Sequence, residues 1–388
     1  MGKAYIAQNN NNLREEGKIL GELGSVSFNM SDCENSILHY NNAIKIAQEI
    51  GDKRMEGVHI GNIGSVYKDI GKYEESITSF QRSIAIAQEI GDKRTEGIIT
   101  GELGSLYRYL GEYEKAISHY KLARSIASSQ GDKRTEGVMQ GNLGLVHKNQ
   151  DRYEEAILAF TQALTIAQEI GDQRNESIVL NNLGIAYKSL AQYDQAIKYY
   201  TQSMQIAIKT KDRSSEALGL TNLANIYQTQ KRYAKAIQYY QKTLTIFHET
   251  GQQKNKGIIL GNLGDALFHQ GHYEESKIHL QNAIEICDQT MPVGAGVFRG
   301  SLALLYAQRK DFTQAFALLE QGELQVMIYK KEYGKFLCKK AEVFLLNGDI
   351  ERSRETLIIA QNTMQAIVEG SVLANMIQKV QDLLDSNT

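Results

Sequence analysis

The chain has few of the residues that interrupt helices or signal special chemistry. Its 388 residues include one proline and no tryptophan, and its three cysteines, Cys33, Cys287 and Cys338, are far apart in the sequence. One proline over this length indicates an almost all-helical chain with little irregular structure. Three such cysteines match neither a disulfide framework nor a zinc-binding spacing.

An excess of charge of one sign is also missing. The chain has 43 basic and 45 acidic residues, for a net charge of -2, so nothing attracts it broadly to nucleic acid or to an anionic membrane. It has no run of 18 apolar residues, and the N-terminal sequence MGKAYIAQNN lacks the apolar core of a signal peptide. We therefore expect a cytoplasmic protein without nucleic-acid binding or membrane insertion.

What the sequence does contain is a repeat of forty residues. The tetrapeptide GDKR begins at positions 51, 91 and 131, and GDQR begins at 171. In the same phase, GELG, GNIG, GNLG or a close variant recurs from position 21 to position 261. Seven regular repeats thus cover residues 11–290, and two degenerate repeats with shorter spacing cover 291–364. A chain of this length is expected to be modular, and this one is modular by repetition.

Each repeat predicts two helices. Asp52 is a good N-cap, and Gly51 can adopt the left-handed conformation that ends the preceding helix. Helix A is predicted from about Arg54 to Ile70, where Gly71 ends it, and helix B from Tyr73 to Ile90. A single helical hairpin cannot bury the apolar face of helix B, so neighbouring repeats must stack. The predicted fold is an all-α solenoid.

The repeat resembles the tetratricopeptide repeat (TPR) family over nearly the whole chain. Two features depart from the family pattern: Gly-Asp replaces the proline between repeats, and each unit has forty residues rather than about thirty-four. Longer units of this kind are similar to those of Pins-type adaptors, kinesin light chains and bacterial Rap-type receptors. The resemblance implies a right-handed superhelix of about nine hairpins, with no catalytic activity, that binds a partner in its concave groove. In the second repeat the family positions are Ile63, Gly64, Tyr67, Gly71, Tyr73 and Ser76.

A row of asparagines lies on the stripe of helix A that the resemblance places in this groove. Asparagine is a mediocre helix former, so its recurrence in mid-helix needs a cause. A side-chain amide donates and accepts hydrogen bonds, which suits pairing with a peptide backbone. Copying by duplication and hydrogen bonding between repeats remain as alternatives. The row consists of Asn62, Asn142, Asn182, Asn222 and Asn262.

Two rows of basic residues flank the asparagines. They predict a basic half-groove that favours an acidic peptide or protein segment. The alternative is an ordinary solvated face, with ion pairs to Glu56-type neighbours or to acids of the preceding helix. The first row, at the start of helix A, is Arg54, Arg94, Arg134 and Arg174, and the second, near its end, is Lys68, Arg108, Lys148 and Lys188.

Glycines are frequent in helix A. Gly64 occupies the family's small position, where helix B is expected to pack closely. For Gly57 and Gly61 two interpretations remain open. They permit close packing between adjacent A helices, or they form a floor on which an extended ligand approaches the backbone.

No catalytic or metal-binding arrangement stands out. Three histidines and a cysteine lie in the seventh repeat, but their spacing is not the i, i+4 spacing of helical ligand pairs. We therefore expect no cofactor, no metal and no enzymatic activity from this chain. The residues concerned are His269, His272, His279 and Cys287.

The expected function is a non-catalytic interaction scaffold that binds a peptide or a protein segment. The alternative is a ligand- or peptide-sensing regulatory region of a larger multidomain protein. Residues 6–17 align with 86–97 without a gap, so residues 1–10 are expected to be the remnant of a preceding helix B or an N-terminal cap. Residues 365–388 are predicted to form a C-terminal capping helix.

Overall fold

The structure, a computed structural model, describes residues 2–363 and 372–386, and its side chains are described from residues 12 and 373 of these two ranges. Over these residues the chain forms nineteen α-helices and no strand. It divides into two compact units, residues 1–199 and 200–388, with the boundary inside the tenth helix.

The first unit contains four complete hairpins and most of the fifth. Odd-numbered helices are the A helices and even-numbered helices are the B helices. Their bounds are α1 Gly2–Asn29, α2 Cys33–Glu49, α3 Lys53–Asp69, α4 Tyr73–Glu89, α5 Lys93–Tyr109, α6 Tyr113–Ser129, α7 Lys133–Asn149, α8 Tyr153–Glu169, α9 Gln173–Ser189 and α10 Tyr193–Lys209.

The second unit continues the same alternation through four more hairpins, and a last helix follows. This confirms the predicted α-solenoid of nine helical hairpins with a capping helix. The bounds are α11 Arg213–Thr229, α12 Tyr233–Glu249, α13 Gln253–Gln270, α14 Tyr273–Thr290, α15 Pro292–Gln308, α16 Phe312–Val326, α17 Lys330–Leu346, α18 Ile350–Thr363 and α19 Val372–Ser386.

The ends of the helices follow the Gly-Asp signals. Gly51 has a φ of +70° and Gly71 a φ of +78°, a region that glycine enters without strain. Asp52 caps α3, where its Oδ1 accepts a hydrogen bond from the backbone N–H of Met55 at 3.0 Å. The two predicted helices of this repeat agree with α3 and α4 to within one residue at each end.

Gly64 allows the close approach of helix B that was predicted for it. A Cβ atom at this position would lie 2.8 Å from the ring of Phe80, which is fully buried. The hydroxyl of Ser76 donates a hydrogen bond to the backbone oxygen of Gly64 at 2.7 Å. This hairpin is therefore closed by a ring packed over glycine and by one buried hydrogen bond.

The first and last helices differ in how they follow the repeat. Helix α1 continues from Gly2 to Asn29 without the break that the alignment of 6–17 with 86–97 suggests. Residues 11 and 12 are both asparagine, and the chain lacks the glycine that ends the corresponding helix at position 91. At the other end, α19 packs its buried Leu373, Ile377 and Val380 against α17 and α18, and residues 364–371 lie outside the described part of the chain.

Within the first unit, neighbouring A helices touch directly, as α3 does with α5, α5 with α7, and α7 with α9. The B helices α2, α4, α6 and α8 each pack between their own A helix and the next one. Helices α1, α3, α5, α7 and α9 therefore share one face, which we call the A-helix surface of this unit. It carries the stripe that the sequence assigned to the groove.

Candidate functional site

The glycines of the A-helix surface receive side chains from neighbouring helices. A Cβ atom on Gly61 would lie 2.6 Å from Cδ1 of Ile99 in the next A helix, and one on Gly57 would lie 3.1 Å from Cγ2 of Ile86. Gly101 stands in the same relation to Met139, at 2.8 Å. Gly61 and Gly101 thus serve close packing between adjacent A helices, which is the first of the two interpretations, whereas Gly57 is packed by the B helix α4. None of the three forms an exposed floor.

Gly141 is the exception in this row. A Cβ atom there would have Ala163 at 3.8 Å and Val179 at 3.9 Å as its nearest neighbours. Because valine is shorter than the isoleucine or methionine found in the preceding repeats, a cavity of about 190 Å³ remains between α7, α8 and α9. We call it the Gly141 cavity, and its lining includes Val138, Gly141, Asn142, Leu145, Ala163, Ile166, Ile178, Val179 and Asn182.

Two members of the predicted asparagine row, Asn142 and Asn182, lie at this cavity on adjacent A helices. Every asparagine of the row is half-buried. No described residue hydrogen-bonds to the side chains of Asn62, Asn142, Asn182 or Asn262, whereas Asn222 interacts within the chain. Hydrogen bonds between repeats thus do not explain the four residues. Asn62, Asn142 and Asn182 belong to the first unit, and Asn222 and Asn262 occupy the same position in α11 and α13 of the second.

The arginine row has partners that the sequence analysis did not identify. Nε of Arg54 lies 3.0 Å from Oδ2 of Asp92, and Nε of Arg134 lies 2.7 Å from Oδ2 of Asp172. Each arginine thereby joins its A helix to the N-cap aspartate of the following repeat. Glu56, the partner considered in the alternative of a solvated face, is paired instead with Arg82 at 2.9 Å and with Lys53 at 3.2 Å.

Arg14, at the same position in the first repeat, and Arg94 follow this arrangement. Arg14 pairs with Asp52 at 2.6 Å, one repeat earlier. The pKa of Asp132 is lowered by the hydrogen bonds that it accepts from Thr135 and by the charge of Arg94. Arg174 is exposed at the start of α9.

The lysine row is divided between paired and unpaired charges. Nζ of Lys68 lies 2.9 Å from Oε2 of Glu102, which replaces asparagine in the third repeat. Arg108 and Lys148 are half-buried on α5 and α7, and no described carboxylate forms an ion pair with either. Burial lowers the pKa of Lys148, and the charge of Arg108 lowers it further. Lys188 interacts with another residue of the chain.

The half-buried pair Arg108 and Lys148 therefore concentrates positive charge on the A-helix surface. Nε of Arg108 is buried and has no hydrogen-bond partner within the described structure. Lys148 continues the stripe that runs through Gly141, Asn142 and Leu145 on α7. An anionic group from outside the chain would supply the missing partner.

The histidines of the seventh repeat do not converge. The ring of His269 stacks on Tyr233 with their centroids 5.2 Å apart, and Nδ1 of His272 lies 3.8 Å from Glu275. Burial raises the pKa of Cys287 to about 11. Within residues 12–363 and 373–386, no three His, Cys, Asp or Glu side chains are grouped as metal ligands. None of the described helices is long and apolar enough to cross a membrane.

The sequence analysis missed the Gly141 cavity, although a signal for it exists. The residue that packs over the glycine at positions 21, 61 and 101 lies thirty-eight positions after that glycine, as Ile99 follows Gly61. Val179 is the smallest residue that follows such a glycine in this unit. The signal can be read only once the pairing between helices is known.

Comparison with known families and structures agrees with this architecture. The family described as "Tetratricopeptide repeat" matches residues 55–129, 135–209 and 215–289, more than half of the chain. The family described as "Anaphase-promoting complex subunit 5" matches residues 18–56. None of the curated proteins compared with the chain matches it.

Several solved structures share the fold at low identity. A signal transduction ATPase of the STAND class from Pyrococcus horikoshii, with a tetratricopeptide repeat sensor, aligns with a TM-score of 0.66 and 18% identity, over 81% of this chain and 48% of its own. The apo form of RapI aligns with a TM-score of 0.69 and 16% identity, over 91% of this chain and 99% of its own. The apo quorum sensor NprR from B. thuringiensis aligns with a TM-score of 0.59 and 16% identity, over 88% of this chain and 99% of its own. The chain thus spans about half of the STAND protein, and at these identities the likeness concerns the fold alone.

Proposed function

Because the chain belongs to the tetratricopeptide repeat family, we propose that it is a non-catalytic interaction scaffold whose A-helix surface binds a peptide or an extended protein segment. The observation that carries the proposal is the row of half-buried amides at Asn62, Asn142 and Asn182, which no described residue hydrogen-bonds. A peptide backbone offers the donors and acceptors that these side chains lack. Asn262 is proposed to act in the same way within the second unit, and Asn222, which also interacts within the chain, is proposed to contact the partner from the same position in α11.

The basic rows are proposed to favour an acidic segment. Arg108 and Lys148 contribute most, because no described carboxylate neutralises them. Lys68, Lys188, Arg94, Arg134 and Arg174 add positive potential, although Lys68 and Arg134 already pair within the chain. Such charges act mainly by steering association and by rejecting basic partners. The balanced composition and the free cysteines support a cytoplasmic setting.

The test is a selection of binders from a random octapeptide library with the full chain, followed by affinity measurements on a variant with both Asn142→Ala and Asn182→Ala. Binding should weaken by about 0.5–1.5 kcal/mol for each lost hydrogen bond. The melting temperature should stay the same or rise, because alanine favours helix more than asparagine does. Asn41→Ala, on the exposed side of α2, is the matched control and should leave affinity unchanged.

Two results would contradict the proposal. The first is a selection that yields no binder. The second is a double variant that melts several degrees lower and binds normally, because the asparagines would then stabilise the repeats rather than the complex.

The second candidate function is a ligand- or peptide-sensing regulatory region of a larger protein. The similarity to a STAND protein with a repeat sensor, of which this chain spans about half, supports this candidate. Small-angle scattering of the full chain with and without a selected peptide separates the two. A sensor should change its radius of gyration on binding, and a scaffold should not.

A further inference from the structure

We infer that the Gly141 cavity holds one apolar side chain of the bound peptide, of leucine or phenylalanine size, while Arg108 and Lys148 hold a carboxylate two or three residues away in that peptide. The inference rests on the proposed function and specifies its ligand. The occupant is therefore an acidic peptide with an aliphatic or aromatic anchor.

The size of the cavity supports an apolar anchor. An engineered apolar cavity of about 150 Å³ accommodates benzene, and this one measures about 190 Å³. Its walls are mainly aliphatic, and Val138, Leu145 and Val179 contribute to them. At Gly61 and Gly101 the corresponding space is filled from within the chain by Ile99 and Met139, so a branched or long apolar side chain suits such a hole.

The polar groups at the cavity fit the backbone on either side of an anchor. Asn142 and Asn182 line it from α7 and α9, and no described residue hydrogen-bonds to either side chain. A purely apolar ligand would leave both amides without partners. A peptide satisfies them with its own N–H and C=O groups while its side chain enters the cavity.

The position of the basic pair sets the spacing within the peptide. Along α7, Leu145 and Asn142 precede Lys148 by three and six residues, which corresponds to about 4.5 and 9 Å of helix rise. In an extended peptide, residues two or three positions apart are separated by about 7 to 10 Å. A carboxylate at that distance from the anchor reaches Lys148 and Arg108.

The experiment fills the cavity without disturbing the fold. Val179→Met places over Gly141 the residue that already packs over Gly101, and Val179→Ile places there the residue that packs over Gly61. Ile99→Met is the matched control, because it alters the same position in a repeat whose glycine is already filled. The probes are octapeptides selected by the wild-type chain and their variants with the apolar residue changed to alanine or the acidic residue changed to its amide.

We expect selected peptides to share an apolar residue two or three positions from an aspartate or glutamate. Val179→Met should weaken their binding at least tenfold without lowering the melting temperature, and Ile99→Met should not weaken it. Lys148→Gln should reduce the preference for the acidic peptide over its amide, because only Arg108 remains to hold the carboxylate, whereas Lys45→Gln on α2 should preserve it.

The inference is overturned if the alanine peptides bind as tightly as their parents, or if both Val179 variants bind normally. If that happens while the Asn142→Ala and Asn182→Ala variant loses affinity, the proposed function stands and this assignment of its ligand falls. A library from which the wild-type chain selects nothing contradicts both.

Discussion

At the scale of the residue, one glycine position has two different environments. Gly61 is held against Ile99 and against the hydroxyl of Ser83, at 2.6 and 3.0 Å from a would-be Cβ atom, and Gly141 has no neighbour closer than 3.8 Å. The first glycine is required by packing. The second costs helix stability without a packing reason inside the chain.

This difference predicts opposite effects of the same substitution. Gly141→Ala should stabilise the chain by up to about 1 kcal/mol, because alanine is the better helix former. Gly61→Ala gains the same propensity but must displace Ile99, and overpacking of a core typically costs about 1–3 kcal/mol. In urea unfolding, the free energy of unfolding of Gly141→Ala should therefore exceed that of Gly61→Ala by at least about 1 kcal/mol. Equal stabilities would show that the Gly141 cavity closes in solution.

At the scale of the element, the junction between repeats depends on a shared aspartate. Asp172 accepts a hydrogen bond from the backbone N–H of Asn175 at 3.2 Å, as the N-cap of α9, and it pairs with Arg134 of α7. Its side chain is 4% exposed and that of Arg134 is 70% exposed, so the pair is anchored at the aspartate. The side chain of Asp172 thus caps α9 and links it to the preceding A helix, α7.

Two substitutions at Asp172 should separate these roles. Asp172→Ala removes the cap and the ion pair, and we expect a loss of about 1–2 kcal/mol, typical of a lost N-cap. Asp172→Asn retains the capping oxygen but loses the ion pair with an exposed arginine and the hydrogen bond that Oδ2 accepts from Nδ2 of Asn175 at 2.7 Å, which together should cost about 1 kcal/mol. Chemical denaturation at pH 7 measures both. An Asn variant as unstable as the Ala variant would show that the contacts of Oδ2 with Arg134 and Asn175, and not the backbone cap, hold the junction.

The pH dependence of this difference has a defined sign. Burial raises the pKa of Asp172, but the hydrogen bonds from Asn175 and the charge of Arg134 outweigh burial, and the pKa in the folded chain is lowered. The stability that this ionisation contributes is present above the pKa of an unfolded aspartate and is lost as the pH falls through the lowered value. The difference in free energy of unfolding between the wild type and Asp172→Asn should accordingly decrease below about pH 4.

At the scale of the whole molecule, stability is expected to depend on contacts between neighbouring repeats. A solenoid has no contacts between distant repeats, so a repeat with weak neighbours is not supported from elsewhere. Helix α1 exposes Leu23 and Val26, whose counterparts Ile63 and Val66 are buried in the next repeat. The junctions between hairpins that precede α15 and α17 lack the Gly-Asp pair found at positions 51, 91, 131 and 171, and Gly348-Asp349 lies instead inside the last hairpin, between α17 and α18.

Hydrogen exchange should follow this distribution. We expect the amides of residues 291–363 to exchange faster than those of 91–210, because coupling between repeats is weaker where the junctions are degenerate. Mass spectrometry of peptic fragments from the full chain is the measurement. Greater protection of 291–363 than of 91–210 would contradict this account.

The sequence by itself determined the hairpins. Helix ends are set by local chemistry, such as the left-handed glycine at position 51 and the cap at Asp52, so the forty-residue phase predicted α3 and α4 to within one residue. The close packing at Gly64 could likewise be predicted from the sequence, because Gly64 and Phe80 belong to the same hairpin. The asparagine row was visible as a pattern, and its availability for a partner remains a proposal.

Only the tertiary structure decided how one repeat meets the next. The partner of Arg134, the occupant of Gly61 and the space over Gly141 all involve residues thirty-eight positions apart in the chain. Helix propensity and hydrophobic periodicity indicate which face of a helix is buried, but they do not identify the side chain of a neighbouring helix that packs against each position. That choice depends on the packing of α7 against α9, where the size of Val179 leaves open a space that isoleucine closes over Gly61.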